Sequence, residues 1–185
     1  MEFRLVYEGS LKANAGPQEK QALRRQFHKQ LKVLWNQIPL SAFSMLLNAS
    51  PKPGEISIIE SVGGFSFAPL ICQKIHLVCH LDITMLRPEA PGSVVTQGGD
   101  IDNRLKTLFD SLRMPHNSSE LPSSDSPGTD ETPFFCLLED DNLITKVTVE
   151  ADRLLKVTST PNDVVLVIQI TTRATKMIYK NMGLG

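Results

Sequence analysis

The chain has 185 residues, 41% of them hydrophobic and 21% charged, which excludes wholesale disorder and leaves apolar material for one ordinary domain or two very small ones. Its 19 Lys and Arg against 20 Asp and Glu give a formal charge of −1, a balance that argues against a strongly basic nucleic-acid coat protein. No run approaches the roughly 20 apolar residues that cross a bilayer, and the opening MEFRLVYEGS lacks the long apolar stretch of a secretory signal. No membrane partner is expected. Cys72, Cys79 and Cys136 are an odd set without CxxC spacing, expected as reduced, buried thiols of a cytoplasmic protein.

In chain order, EFRLVY at 2–7 is rich in strand formers and runs into a breaker-containing loop. Pro17 suits a helix start, and Leu23, Phe27, Leu31 and Leu34 recur at helical spacing, predicting a helix over about 17–36. Prolines and the Gly63–Gly64 pair punctuate 38–70, where EISIIESV reads as a short strand or hairpin arm. Residues 74–86 alternate, with Ile75, Leu77, Cys79, Leu81, Ile83 and Met85 on one face, as a half-buried strand does. After the loop RPEAPGSVVTQGG, the segment 100–113 is a second helix whose buried stripe is Leu105, Leu108, Phe109 and Leu112.

The stretch 114–133, dense in Ser, Pro, Asp and Glu, reads as a flexible polar excursion. FFCLL, NLITKVTVEADRLL and DVVLVIQITTRA then supply strands, with the turn TSTPND before the last. The β-α-β-α-β-β order predicts a single α+β domain over 1–185, a mixed β-sheet with two main helices.

The chemistry concentrates where the second helix begins, at Asp100, Asp102, Asn103 and Lys106, with Asp110 one turn on. At about 100° per residue Asp102, Lys106 and Asp110 share one flank. A second acidic group, Glu139, Asp140 and Asp141, follows FFCLL. Convergent carboxylates suit Mg²⁺, which takes hard oxygen ligands and keeps several waters. Such an ion polarises a phosphate and lowers the pKa of an attacking water, and a nearby lysine stabilises transition-state charge. The same residues also fit a plain surface: Asp102 as a helix cap, Lys106 paired with acids four residues away, and Asp140 and Asp141 in a turn.

GDIDNRLKTLFDSL followed by LEDDNLI resembles the RusA-like Holliday junction resolvases, whose pattern is Asp-x-Asp-Asn-x-x-Lys-x-x-x-Asp-x-Leu and then a downstream Asp-Asp at a strand start. Asp100, Asp102, Asn103, Lys106, Asp110 and Leu112 fill the first part, and Asp140 and Asp141 the second. The resemblance implies a RusA-like fold and a Mg²⁺-dependent endonuclease (Mn²⁺ being an alternative ion) acting as a homodimer on branched DNA such as a four-way junction. It implies metal-holding catalytic acids at Asp100, Asp102 and Asp141 with Lys106 as the essential cation, and Asn103, Asp110 and Asp140 in support. The chain departs from the family in the excursion 114–133, where the family has a short connection, and in EGSLKANAGPQEK, where a proline- and asparagine-containing motif is expected.

Lys20, Arg24, Arg25, Lys29 and Lys32 crowd the first helix against one acid, Glu19, a surface expected to meet DNA phosphates in a salt-sensitive way. The excursion carries four acids, Glu120, Asp125, Asp130 and Glu131, and no Lys or Arg, so it masks a mildly basic remainder. His76, His80 and Asp82 are expected on an exposed sheet face, since strand residues four apart are separated by about 13 Å and cannot share an ion. Trp35 and Phe27 are expected in the core. The rival readings are a metal-dependent nuclease with another nucleic-acid substrate, and a non-catalytic DNA-binding or assembly protein that keeps the fold.

Overall fold

A computed structural model describes residues 1–90, 92 and 100–185, and of Asp100 only the backbone. Both helices expected from periodicity are present: α1 spans Pro17–Trp35 and α2 spans Asp100–Leu112. Pro17 opens α1, where a missing N–H costs nothing, and the Glu19 carboxylate accepts from the Gly16 N–H to close its first turn.

The strands are β1 (Glu2–Ser10), β2 (Glu60–Val62), β3 (Phe65–Ile71), β4 (Leu77–Arg87), β5 (Phe134–Leu138), β6 (Ile144–Arg153) and β7 (Asp163–Ala174). They form an α+β fold and divide between two mixed sheets, a four-stranded one ordered β1-β7-β4-β6 and a three-stranded one ordered β2-β3-β5. β7 runs antiparallel to both β1 and β4, whereas β4 and β6, and likewise β3 and β5, are parallel. The loop expected after β4 falls largely outside the described residues. Among those described, no helix is long and apolar enough to cross a membrane.

The period-two pattern on β4 and β7 has a direct consequence. Leu81, Ile83 and Met85 of β4 and Leu166, Ile168 and Ile170 of β7 are buried together with Leu23, Phe27, Leu31 and Trp35 of α1 in one cluster, as strand and helix faces packed on each other must be. Cys72, Cys79 and Cys136 are buried free thiols, and burial pushes Cys72 and Cys79 up to about 12. They are unreactive core residues.

The proline-punctuated segment 38–70 contains β2 and all but the last residue of β3, the central strand of the smaller sheet. Gly63 and Gly64 both have positive φ, 56° and 85°, and join β2 to β3 as a two-residue hairpin. A side chain at Gly63 would also collide with Leu121, since a Cβ there would lie 2.6 Å from its Cδ1.

The excursion 114–133 was expected to be free and is instead fastened down. Its Met114 and Leu121 enter a second apolar cluster with Phe65, Phe67, Phe134 and Cys136, in which the three phenylalanine rings lie 5.3–5.8 Å apart. Its acids meet cations of the body: Asp125 and Glu131 each lie 2.8 Å from Arg25, and Glu120 lies 2.9 Å from Arg113. Two apolar anchors and several ion pairs, those with Arg25 reaching to a distant helix, offset the ordering entropy that composition alone left uncompensated.

The two helices meet through buried charge. Arg24, 1% exposed, donates to the carbonyls of Arg113 (3.0 Å) and Asp110 (2.7 Å) and to the Gln21 amide oxygen. Burial pushes its pKa down to about 10, so it stays charged at neutral pH, facing the negative end of the α2 dipole. Replacing Arg24 with Ala orphans these acceptors and is expected to cost about 2–4 kcal/mol, read as a lowered urea midpoint at constant m-value. A loss under about 1 kcal/mol would mean the network does not hold the helices together.

His28 gives a second test. Its Nδ1 accepts from the Phe135 N–H at 2.9 Å, and burial, outweighing nearby Glu131, holds its pKa below the ordinary 6.5. Below pH 6.5 the unfolded chain takes up a proton that the folded chain refuses, so stability falls with pH until the folded imidazole itself titrates. Thermal midpoints at pH 7.5 and 5.5 should differ in this direction, and His28→Gln should flatten that part of the profile.

Candidate active site

Parallel pairing decides where the acidic groups lie. The chain crosses from the small sheet to the large one twice, from β3 to β4 and from β5 to β6, and the two crossings run side by side. One passes through the turn Gln73–Ile75 and the other through the turn Asp141–Leu143. The Glu139 carboxylate accepts from the Gln73 N–H at 2.7 Å and fastens one crossing to the other. Asp140 caps the second turn, its carboxylate accepting from the Asn142 N–H at 2.9 Å, and lies 3.6 Å from His116. Asp141 follows, exposed, on the turn that packs against α2.

On α2, Asp102 and Lys106 are exposed. The helix as described begins at Asp100, so Asp102 lies inside the first turn and is not the residue ahead of it that caps. No side-chain hydrogen bond or ion pair ties Asp102, Lys106 or Asp141 to another described residue. The simple alternative, a solvated ladder from Asp102 through Lys106 to Asp110, is therefore not formed. The side chain of Asp100 lies outside the described residues, and Asn103, half-buried, has a partner.

Asp110 is a correction. It was expected to support Lys106, but its two oxygens bind Lys20 at 2.7 Å and Arg113 at 2.9 Å. Eight residues of helix turn it about 80° from Asp102, off the open flank and into the α1 contact. Burial alone would raise its pKa, yet Lys20 and Arg113 outweigh burial and hold it below the usual carboxylate value.

The basic face expected on α1 is also corrected. Arg24 is buried in the helix contact, Lys20 is held by Asp110, Arg25 by Asp125 and Glu131, and Lys32 by Asp130. Lys29 remains exposed and carries no ion pair to a described residue. The acids that occupy this face come from the excursion. His76, with φ of 53°, ends the turn before β4 and is not on the strand, while His80 and Asp82 lie on the open face of the large sheet.

What holds α2 in place was not visible beforehand. Arg104 donates to the Leu11 carbonyl and, at 3.0 Å, to Asn162, and the Thr107 hydroxyl accepts from the Ala15 N–H at 3.2 Å. With Asp110 and Ser111 they form a buried polar stripe beside Leu108 and Leu112. One face of α2 is thus committed to the body while the Asp102–Lys106 flank faces outward.

No group of three or more His, Cys, Asp or Glu that could hold a metal ion occurs among the described residues, which leave out the Asp100 side chain. The chain matches no protein-family model, no curated protein and no solved structure.

These environments separate site from scaffold. Asp102→Asn and Lys106→Ala should each change unfolding free energy by less than about 1 kcal/mol, the scale of a first-turn charge. Asp110→Asn, which strips the buried Arg113 and the half-buried Lys20 of a partner, should cost about 2–4 kcal/mol. Urea unfolding of the three variants checks the order, and Asp102→Asn being the costliest would reverse the assignment.

Proposed function

We propose that the chain is a metal-dependent endonuclease that hydrolyses phosphodiester bonds of branched DNA, four-way junctions foremost, and works as a homodimer. One observation carries the reading: the side chains of Asp102 and Lys106 on α2, and of Asp141 on the turn that packs against α2, are exposed and unengaged by described residues. Asp110, on the same helix, is neutralised.

Hard carboxylate donors of this kind fit Mg²⁺ or Mn²⁺. In this reading Asp100, Asp102 and Asp141 hold the ion, which when bound polarises the scissile phosphate. Lys106, one turn from Asp102, stabilises the negative charge that builds on the phosphate oxygens during displacement. Asp140 keeps the turn closed beneath Asp141, and Glu139 fixes that turn to its neighbour. Two equivalent sites related by a two-fold axis match the two symmetric cuts that a junction requires.

The second reading, a non-catalytic DNA-binding protein, is less well supported. The α1 cations that would have carried phosphate contacts are largely paired already.

The test is cleavage of a synthetic four-way junction beside matched linear duplex, with Mg²⁺ or with chelator. Paired symmetric nicks on the junction, dependent on metal and reduced at least a hundredfold in Asp102→Asn and Lys106→Ala, are expected. Metal-dependent cutting of every substrate would retain the nuclease and remove junction selectivity. Binding without cutting would replace the reading with the second one, and wild-type rates in both variants would overturn the site.

A further inference from the structure

β6 is an unusual strand in this molecule. It is ten residues long, pairs only with β4, and none of its residues is buried. The opposite edge of the same sheet is closed. There Gln30 of α1 accepts from the Val6 N–H at 2.9 Å and donates to the Val6 carbonyl at 2.7 Å, so a side chain occupies the edge of β1 where another strand would bind. β6 has no such cover among the described residues. Its Val147 is 41% exposed, and Leu155 and Val157 just beyond it are 91% and 96% exposed. An uncovered strand edge bordered by apolar side chains is a template for another strand.

The sequence of β6 names that strand. The register with β4 sets Lys146, Thr148, Glu150 and Asp152 on the open face, and Val147, Val149 and Ala151 on the inner one. In an antiparallel pair of two β6 strands about a two-fold axis at Thr148, Lys146 of each copy lies opposite Glu150 of the other. Val147 of each copy likewise lies opposite Val149 of the other. The dimer thus holds two Lys146–Glu150 pairs, and the apolar faces coincide. Centring two residues away in either direction sets Lys146 against itself or Glu150 against itself. Centring on Val149 sets Lys146 opposite Asp152 but leaves Glu150 opposite a threonine and Val147 opposite Ala151, a smaller apolar pair than Val147 against Val149.

We infer that the chain binds a second copy of itself through β6, antiparallel and centred on Thr148, joining two four-stranded sheets into one. The inference deepens the dimer in the proposed function and rests on that reading, but it is tested without cleavage. Loss of the nuclease and loss of this interface are therefore separate results.

Opposed residues in an antiparallel ladder have Cα atoms about 4.5–5.5 Å apart, within disulfide reach. Thr148→Cys should cross-link to a dimer under mild oxidation, while Lys146→Cys and Asp152→Cys should not, and the native cysteines, all buried, give little background. By sedimentation equilibrium the wild type should show twice the chain mass at micromolar concentration. Lys146→Glu and Glu150→Lys should each weaken association at least tenfold, and the double swap should restore it. These exposed positions leave the fold intact, which circular dichroism verifies. A wild type that stays monomeric near 100 µM, a dimer indifferent to both charge reversals, or cross-linking through Val149→Cys in place of Thr148→Cys would overturn the inference.

Discussion

A single buried guanidinium organises this molecule. Arg24 projects from α1 into the end of α2 and binds the carbonyls of Asp110 and Arg113, the acceptors that a helix leaves without partners at its C-terminus. Arg113 then turns to Asp110 on one side and to Glu120 of the excursion on the other. Burial works against the charge of Arg113, but those two carboxylates outweigh it and raise its pKa. Lys20 completes the cluster on Asp110. Buried charges are costly unless paired and hydrogen-bonded, so α1, α2 and the excursion must keep one relative arrangement or leave ions stranded.

That constraint reaches the candidate site. α2 is fixed along one polar face by Arg104, Thr107 and Asp110, with Leu108 and Leu112 alongside. Helical geometry then leaves Asp102 and Lys106 on the outward side, without any residue having to reach out and place them. The parallel pairs β3–β5 and β4–β6 bring the turn bearing Asp141 against that helix. Helix and turn belong to different layers, and their meeting is a property of the sheet connections.

The same buried cluster explains the fate of the charges on α1. A helix with five cations and one acid reads as a surface for phosphate. In the folded chain Lys20 is held by Asp110, Arg25 and Lys32 by acids of the excursion, and Arg24 by main-chain carbonyls, and the excursion is held by Met114 and Leu121 among the phenylalanines of the smaller sheet. Charge that looks available along a sequence can be spent internally, and here it fixes a segment that composition alone would leave mobile.

Local periodicity was enough for the elements that carry it strongly. α1 and α2, the alternating β4 and β7, and the burial of Phe27, Trp35 and the three cysteines were legible because each rests on spacing within a few residues of itself. The exposure of Asp102, Lys106 and Asp141 agreed with a reading of side-chain type and helical position. Only the tertiary structure decided the rest. β3 was hidden because a strand with nearly every residue buried lacks alternation. Asp110, Arg24 and Arg25 changed role because partners of each lie 86 to 106 residues away in the chain, and no local pattern records a contact at that distance. The division into two sheets, and the bare edge of β6 beside the covered edge of β1, follow from which strands pair, a choice made by the packed whole.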